Sequence, residues 1–302
     1  MKIALILNGG AGTLRGGDSA ALAKRIAAIF AARSHQVATT LARTGREAVD
    51  AVHSIVAQKS TDAIVVGGGD GTVSAAAAAC AASGAVLGIL PLGTMNLFAR
   101  SLHMPLTAEA AAEALADGEV AAVDIGRVNG RYFVHVLSLG LHPALVEERE
   151  RSAAYRSRIE KMMGSVRSWF RVVRRPHRLF LSIATAETTL ERETIGLVVS
   201  NNVLGSGHLP YADRLDTGLL GIYLTRARST LEIARLTAEV AVGLTSASPL
   251  VEHLTSHAAS IRLHRSSIKA TIDGELLRLA APIRVESLGG GLKVLRPRAP
   301  QS

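Results

Sequence analysis

Over roughly the first 125 residues, short apolar runs alternate with longer stretches in which apolar positions recur every three or four residues. Ile3–Asn8 reads as a strand that ends in the turn Gly9-Gly10-Ala11-Gly12. A helix is expected from about Asp18, whose carboxylate suits the capping of free backbone N–H groups, to about Ala32. Val37–Leu41 is a second strand, and Glu47–Gln58 a second helix with Ala48, Val49, Val52, Ile55 and Val56 on one face. Ala63–Val66, Val73–Ala82 and Val86–Leu90 continue as strand, helix and strand. Short apolar strands separated by helices predict a mostly parallel sheet covered on both sides.

After Asp124 the pattern changes. Tyr132–Val136, Leu179–Ala184, Thr194–Ser200, Leu219–Leu224, Ser260–Leu263 and Ile268–Ile272 read as strands with turns between them. Helical periodicity is rarer here, so the expectation is an α/β domain over 1–127 followed by a β-rich domain over 128–302, with a frayed tail from Arg296.

Composition narrows this picture. Hydrophobic residues at 48% and charged residues at 20% describe a globular chain, and aromatics at 3% leave the core to Ala, Leu, Val and Ile. The single cysteine, Cys80, excludes an intramolecular disulfide and a multi-cysteine zinc site. It lies in an alanine run, reads as a small buried hydrophobe, and fits a reducing, cytoplasmic setting. No secretory signal is visible, and no run approaches the roughly 18–20 apolar residues of a membrane span, so membrane contact is expected to be peripheral.

A net charge of +9 favours anionic partners. Much of it lies in 149–178, with ten Arg or Lys against Glu150 and Glu160 and apolar residues at helical spacing. Two readings stay open for this segment: a basic amphipathic helix on an anionic membrane surface, or a helix packed on the second domain with its arginines in water. Nucleic acid is not an expected partner, since no recognition module accompanies the charge.

The chemistry concentrates in Gly67-Gly68-Gly69-Asp70-Gly71-Thr72, after one predicted strand and before a helix. Four glycines in five positions allow close backbone approach to a ligand, and the helix N-terminus behind them suits phosphate. Asp70 would repel phosphate unless Mg²⁺ stood between them. The loop is neither a P-loop nor a dinucleotide fingerprint. Pro91-Leu92-Gly93-Thr94-Met95-Asn96 leaves the fourth strand at the same sheet edge, as does Asn8 with its glycine turn. Far downstream, Ile272-Asp273-Gly274-Glu275 sets two carboxylates around a glycine, which suits either an acidic turn or acceptance of a hydroxyl proton.

On these residues the chain resembles the bacterial diacylglycerol kinase family, which also embraces sphingosine and ceramide kinases. The carrying motifs are Gly68–Thr72, Pro91–Asn96, Phe98-Ala99-Arg100, Leu102–Pro105, Val123–Gly126, Tyr132–Val134 and Asp273–Glu275. The resemblance implies an α/β N-terminal domain of phosphofructokinase and NAD kinase type, a β-sandwich second domain, and an ATP- and Mg²⁺-dependent transfer of phosphate to the hydroxyl of a membrane lipid. It implies a nucleotide bordered by Asn8, Gly10, Ala11, Gly12 and Thr40, and phosphates held by Gly68, Gly69, Asp70, Gly71 and Thr72. Thr94 and Asn96 would line the cleft, Asp70 and Asp124 would serve the metal, and Glu275 would be the general base. The chain departs from the family pattern at Leu97, where Asp is frequent, and at His135, where Asn is usual. It departs again at Leu215–Gly221, where Thr217 and Gly221 replace acids and Asp216 is one place out of register as a metal ligand. Two alternatives remain open: an NAD kinase-like phosphotransferase, and a non-catalytic nucleotide- or lipid-binding protein of the same fold.

Overall fold

The apolar runs of the N-terminal part form β1 (Lys2–Asn8), β2 (Gln36–Ala42), β3 (Ala63–Gly68) and β4 (Val86–Pro91), paired in parallel in the order β2-β1-β3-β4. The structure is a computed structural model and describes residues 1–12, 14, 18–151, 169–174, 176–244 and 248–298. Between the strands run α1 (Ser19–Ala31), α2 (Gly45–Gln58) and α3 (Asp70–Ser83). Asp18 caps α1 as its position suggests, its Oδ1 accepting from the Ala21 N–H at 2.9 Å. α1 buries Leu22, Ala23, Ile26 and Phe30 against the sheet. The alanines of α3 let it lie close to its neighbours, with Ala76, Ala77 and Cys80 fully buried. Burial pushes the Cys80 thiol up to about 12. A thiol reagent at about pH 8 is therefore expected to leave the folded chain unlabelled and to label it only in denaturant; rapid labelling of native protein would contradict this burial.

The chain then forms α4 (Leu97–Ser101), α5 (Ala108–Ala116), β5 (Glu119–Val128), β6 (Arg131–Phe133), β7 (Val136–Gly140) and α6 (Leu141–Arg151). Strands β8 (Leu179–Ala184), β9 (Thr189–Thr194), β10 (Gly196–Asn201) and β11 (Leu220–Thr225) precede a helix at Thr230–Ala241. The last strands are β12 (Val251–Ser256), β13 (Ala258–Leu263), β14 (Ser267–Ile272), β15 (Glu275–Ala280) and β16 (Ile283–Arg296). The six-stranded sheet β12-β11-β10-β7-β14-β15 is antiparallel throughout. The expected strand at Tyr132–Val136 is broken at Val134-His135, because the chain there leaves β5 and crosses to this second sheet.

The first sheet does not end at the boundary expected near residue 127. The fold is a mixed α/β structure with two β-sheets, and the larger one continues across the expected boundary as β2-β1-β3-β4-β16-β13-β8-β9, with β5 also on β16. Strand β16 is the reason. At about 3.3 Å per residue it runs on the order of 45 Å, pairing with β13 at one end and in parallel with β4 at the other. Its register against β5 shifts between Leu288 and Leu292, across three glycines. Ile283 and Val285 therefore join the core between the two sheets, while Leu292, Val294 and Leu295 join the core under α1–α3.

The basic segment 149–178 is described at its two ends only, and residues 152–168 and 175 of that expectation lie outside the described residues. Among the described residues no helix is long and apolar enough to cross a membrane.

Candidate active site

Parallel register brings three turns to one sheet edge. Leu7 lies opposite Gly67, and Gly68 opposite Pro91, so β1, β3 and β4 end side by side. Asn8 is buried there: its Nδ2 donates to Thr72 Oγ1 at 3.2 Å, and its Oδ1 accepts from the Gly10 N–H at 3.0 Å. Ala11 donates its N–H to the Asn8 carbonyl, and a Cβ added to Gly12 would stand 3.7 Å from Thr94 Oγ1, which brings the first turn against the third. The N-terminus of α2 joins them, since a Cβ at Gly45 would come within 3.1 Å of Thr72 Oγ1. Thr40 stands exposed on edge strand β2 opposite Ile6, with no side-chain tie to these turns among the described residues.

Asp70 opens α3. Its carboxylate clamps the third turn, accepting from the Asn96 N–H at 3.0 Å and the Leu97 N–H at 2.7 Å. Asn96 in turn bonds Gly93 in both directions. A Cβ on Gly93 would lie 2.7 Å from the Gly69 Cα, so the two loops touch backbone to backbone and glycine is required. The helix start itself is left open. Gly69 supplies no side-chain cap and Gly71 has free space around it, so first-turn N–H groups remain available for an anion.

The second carboxylate the structure brings to this edge is Asp273, not one of the predicted site residues. Its oxygens accept from the N–H groups of Val134, His135 and Val136, each at 2.9 Å, and from the Ser74 hydroxyl of α3. Asp273 and Gly274 form the tight β14–β15 turn, with φ of 47° and 87°. Glu275 follows it, exposed at the head of β15 opposite Ile272. A one-sided acidic turn was legible in the sequence; the three amides it binds, some 140 residues upstream, were not.

Asp124 and Asp216 stand apart from this edge network. Asp124 is 2% exposed and accepts from the Gly218 N–H at 2.6 Å and the Gly290 N–H at 3.0 Å, tying the 215–218 turn to β16. Asp216 is exposed and paired with Arg214 at 3.0 Å, while Thr217 donates to Asn202 Oδ1. Hydrogen bonds thus hold this segment. Among the described residues no group of three or more His, Cys, Asp or Glu converges to hold a metal ion.

From Asp70 a cavity of about 590 Å³ runs into the second sheet. Asp70, Ser74, His135 and Asp273 mark its polar end, with Leu97 beside them. Leu139, Val198, Leu224, Leu236, Val240 and Val251 make the remainder apolar, and helix Thr230–Ala241 covers it. Burial pushes the His135 imidazole below its ordinary value, and the carboxylates of Asp273 and Asp70 offset only part of that.

Comparison with known proteins places this geometry. The sequence profile of the diacylglycerol kinase catalytic domain matches residues 2–128. A diacylglycerol kinase of Mycobacterium tuberculosis is 30% identical over 264 residues, covering 84% of both chains. The chain belongs to the bacterial diacylglycerol kinase family. Another diacylglycerol kinase, from Staphylococcus saprophyticus, is 22% identical over 77% of this chain and 76% of its own length. The crystal structure of a diacylglycerol kinase from Bacillus anthracis superposes with a TM-score of 0.71 at 21% identity, covering 98% of this chain and 96% of that one; this likeness concerns the fold. The Leu97 side chain forms part of the cavity wall, where a leucine suits the apolar lining.

Proposed function

We propose that this diacylglycerol kinase family member is an ATP-dependent lipid kinase whose acceptor is the hydroxyl of diacylglycerol or a related membrane lipid. One observation carries the reading: a single cavity joins the open, glycine-rich helix start at Asp70 to an apolar interior. A nucleotide phosphate suits the first and an acyl chain the second. An NAD kinase-like reaction would have no use for the apolar part.

In this reading the nucleotide lies along the Asn8–Gly12 and Pro91–Asn96 turns, with its phosphates over Gly68–Thr72. Mg²⁺ is bound characteristically by one or two carboxylates together with substrate phosphates, so the absence of a larger acidic cluster among the described residues suits it. Asp70 is the carboxylate at the phosphate-facing edge, while Asp124 and Asp216 lie apart from it at the 215–218 turn. Bound there, the ion would neutralise charge on the transferring phosphoryl group. The lipid hydroxyl oxygen bonds to the γ-phosphorus, the bond to the departing ADP oxygen breaks, and the hydroxyl proton passes to the Glu275 carboxylate. A net charge of +9 suits peripheral residence at the anionic inner face of the membrane, the protein being otherwise cytoplasmic.

The test is transfer of labelled phosphate from ATP with Mg²⁺ to diacylglycerol, monoacylglycerol, sphingosine, ceramide and phosphatidylglycerol in mixed micelles. A labelled lipid is expected, with turnover lowered about 100-fold in Glu275→Ala. ATP binding without product across the panel would favour the non-catalytic alternative, and full turnover in a folded Glu275→Ala would remove the base assignment alone.

A further inference from the structure

The polar end of the cavity presents four side chains, and three are already engaged. Asp70 accepts two N–H bonds from the Asn96–Leu97 turn. Asp273 accepts three from residues 134–136 and a fourth from Ser74, whose proton is thereby used. The His135 imidazole makes no hydrogen bond among the described residues. It nevertheless lies within electrostatic reach of both carboxylates and forms part of the cavity wall.

Its backbone, by contrast, is fully tied. The His135 N–H donates to Asp273, and its carbonyl accepts from the Asn201 N–H at 2.9 Å and from Ser200 Oγ at 3.3 Å. The residue sits where the chain crosses between the two sheets, so both cores hold it in place. A side chain pinned at its root and unpartnered at its tip is prepared for a ligand. An imidazole carries a ring N–H donor and a second ring nitrogen, which match an alcohol oxygen and its proton.

We propose that His135 binds the acceptor hydroxyl through a ring nitrogen and orients its oxygen beside Asp70. The inference rests on the lipid-kinase reading and adds to it a residue that touches the acceptor. His135 orients the hydroxyl and does not take its proton. The proton acceptor stays the Glu275 of that reading, which heads β15 directly after the Asp273–Gly274 turn that lines the cavity.

The experiment compares wild type, His135→Ala and His135→Asn on the acceptor found in the micelle panel, with melting temperature as a control on folding. His135→Ala is expected to lower kcat/KM for the lipid by about 10- to 100-fold with the KM for ATP unchanged, as loss of a hydrogen bond made to a reacting group requires. His135→Asn, which keeps a donor and an acceptor, is expected to recover to within about tenfold of wild type. A binding measurement accompanies it: competition between the same lipid and its analogue with the hydroxyl replaced by hydrogen. Wild type should prefer the hydroxyl form by about tenfold, the worth of one net hydrogen bond, and His135→Ala should bind both alike. An unchanged preference in His135→Ala, or kcat/KM within twofold of wild type, overturns the assignment. Should wild type phosphorylate no lipid, the kinase reading falls, and the competition, run with diacylglycerol and its hydroxyl-free analogue, still decides whether His135 reads the hydroxyl. If His135→Ala does not fold, the same competition with His135→Phe decides, since a phenyl ring fills the space with no polar atom.

Discussion

Asp70→Asn is expected to lower phosphoryl transfer by about 100-fold or more while leaving the fold close to wild type in stability. The two halves of that expectation come from different properties of one side chain. As a hydrogen-bond acceptor, Asp70 holds the Asn96 and Leu97 N–H groups and so fixes the third turn against α3. An amide keeps one accepting oxygen, so the clamp loses part of its strength, about 1 kcal/mol. As a charge, Asp70 stands at the open helix start where the phosphates of ATP would lie, and an amide supplies none. Steady-state turnover on the lipid acceptor and the urea midpoint separate the two. Turnover within a few-fold of wild type would remove Asp70 from any metal-holding role. A collapse of the urea midpoint would instead show that the clamp dominates.

The second large effect belongs to stability. Asp273→Ala is expected to cost about 3 kcal/mol or more, read from the urea midpoint at unchanged slope. Three backbone N–H groups and the Ser74 hydroxyl lose their acceptor together, and each unsatisfied donor costs about 1–3 kcal/mol when buried. These donors are part-buried, which places the sum at the lower end. The backbone adds a smaller term, because φ of 47° suits Asp or Asn far better than Ala. Asp273→Asn keeps the turn and one acceptor, so it should cost roughly half as much. Equal losses in the two variants would mean that the charge, not the count of accepted bonds, stabilises this crossing. A loss below about 1 kcal/mol in Asp273→Ala would mean that water replaces the carboxylate.

Both residues show how far local pattern reaches. Gly67–Thr72 was legible because a glycine-rich turn before a helix is a local arrangement, and its neighbours along the chain suffice to build it. Strands β1 to β4 and helices α1 to α3 were legible for the same reason: their apolar spacing and caps lie within a dozen residues of one another. Beyond Asp124 the pattern thinned. β5, β9, β12, β15 and β16 went unread, as did α5 and helix Thr230–Ala241. β9 exposes most of its side chains and β12 buries none of its own fully, so apolar alternation is faint in them. β16 changes core part-way along and carries a glycine bulge, which interrupts its period of two.

By itself, then, the sequence determined the N-terminal half of this protein: the loops, their order on one sheet edge and the family they belong to. Packing alone decided the cavity half. The bond between Ser74 and Asp273 spans 199 residues, and the pairing of Lys293 with Val86 sews the C-terminus into the first sheet. The cavity exists only because the second sheet meets α3, α4, α6 and helix Thr230–Ala241 around it, and His135 acquires its setting from Asp70 and Asp273, which are distant in sequence on either side. Chain neighbours dictate turns, caps and the period of burial. Which distant surfaces close upon one another depends on how all the buried faces fill space together, and no local stretch of residues carries that information.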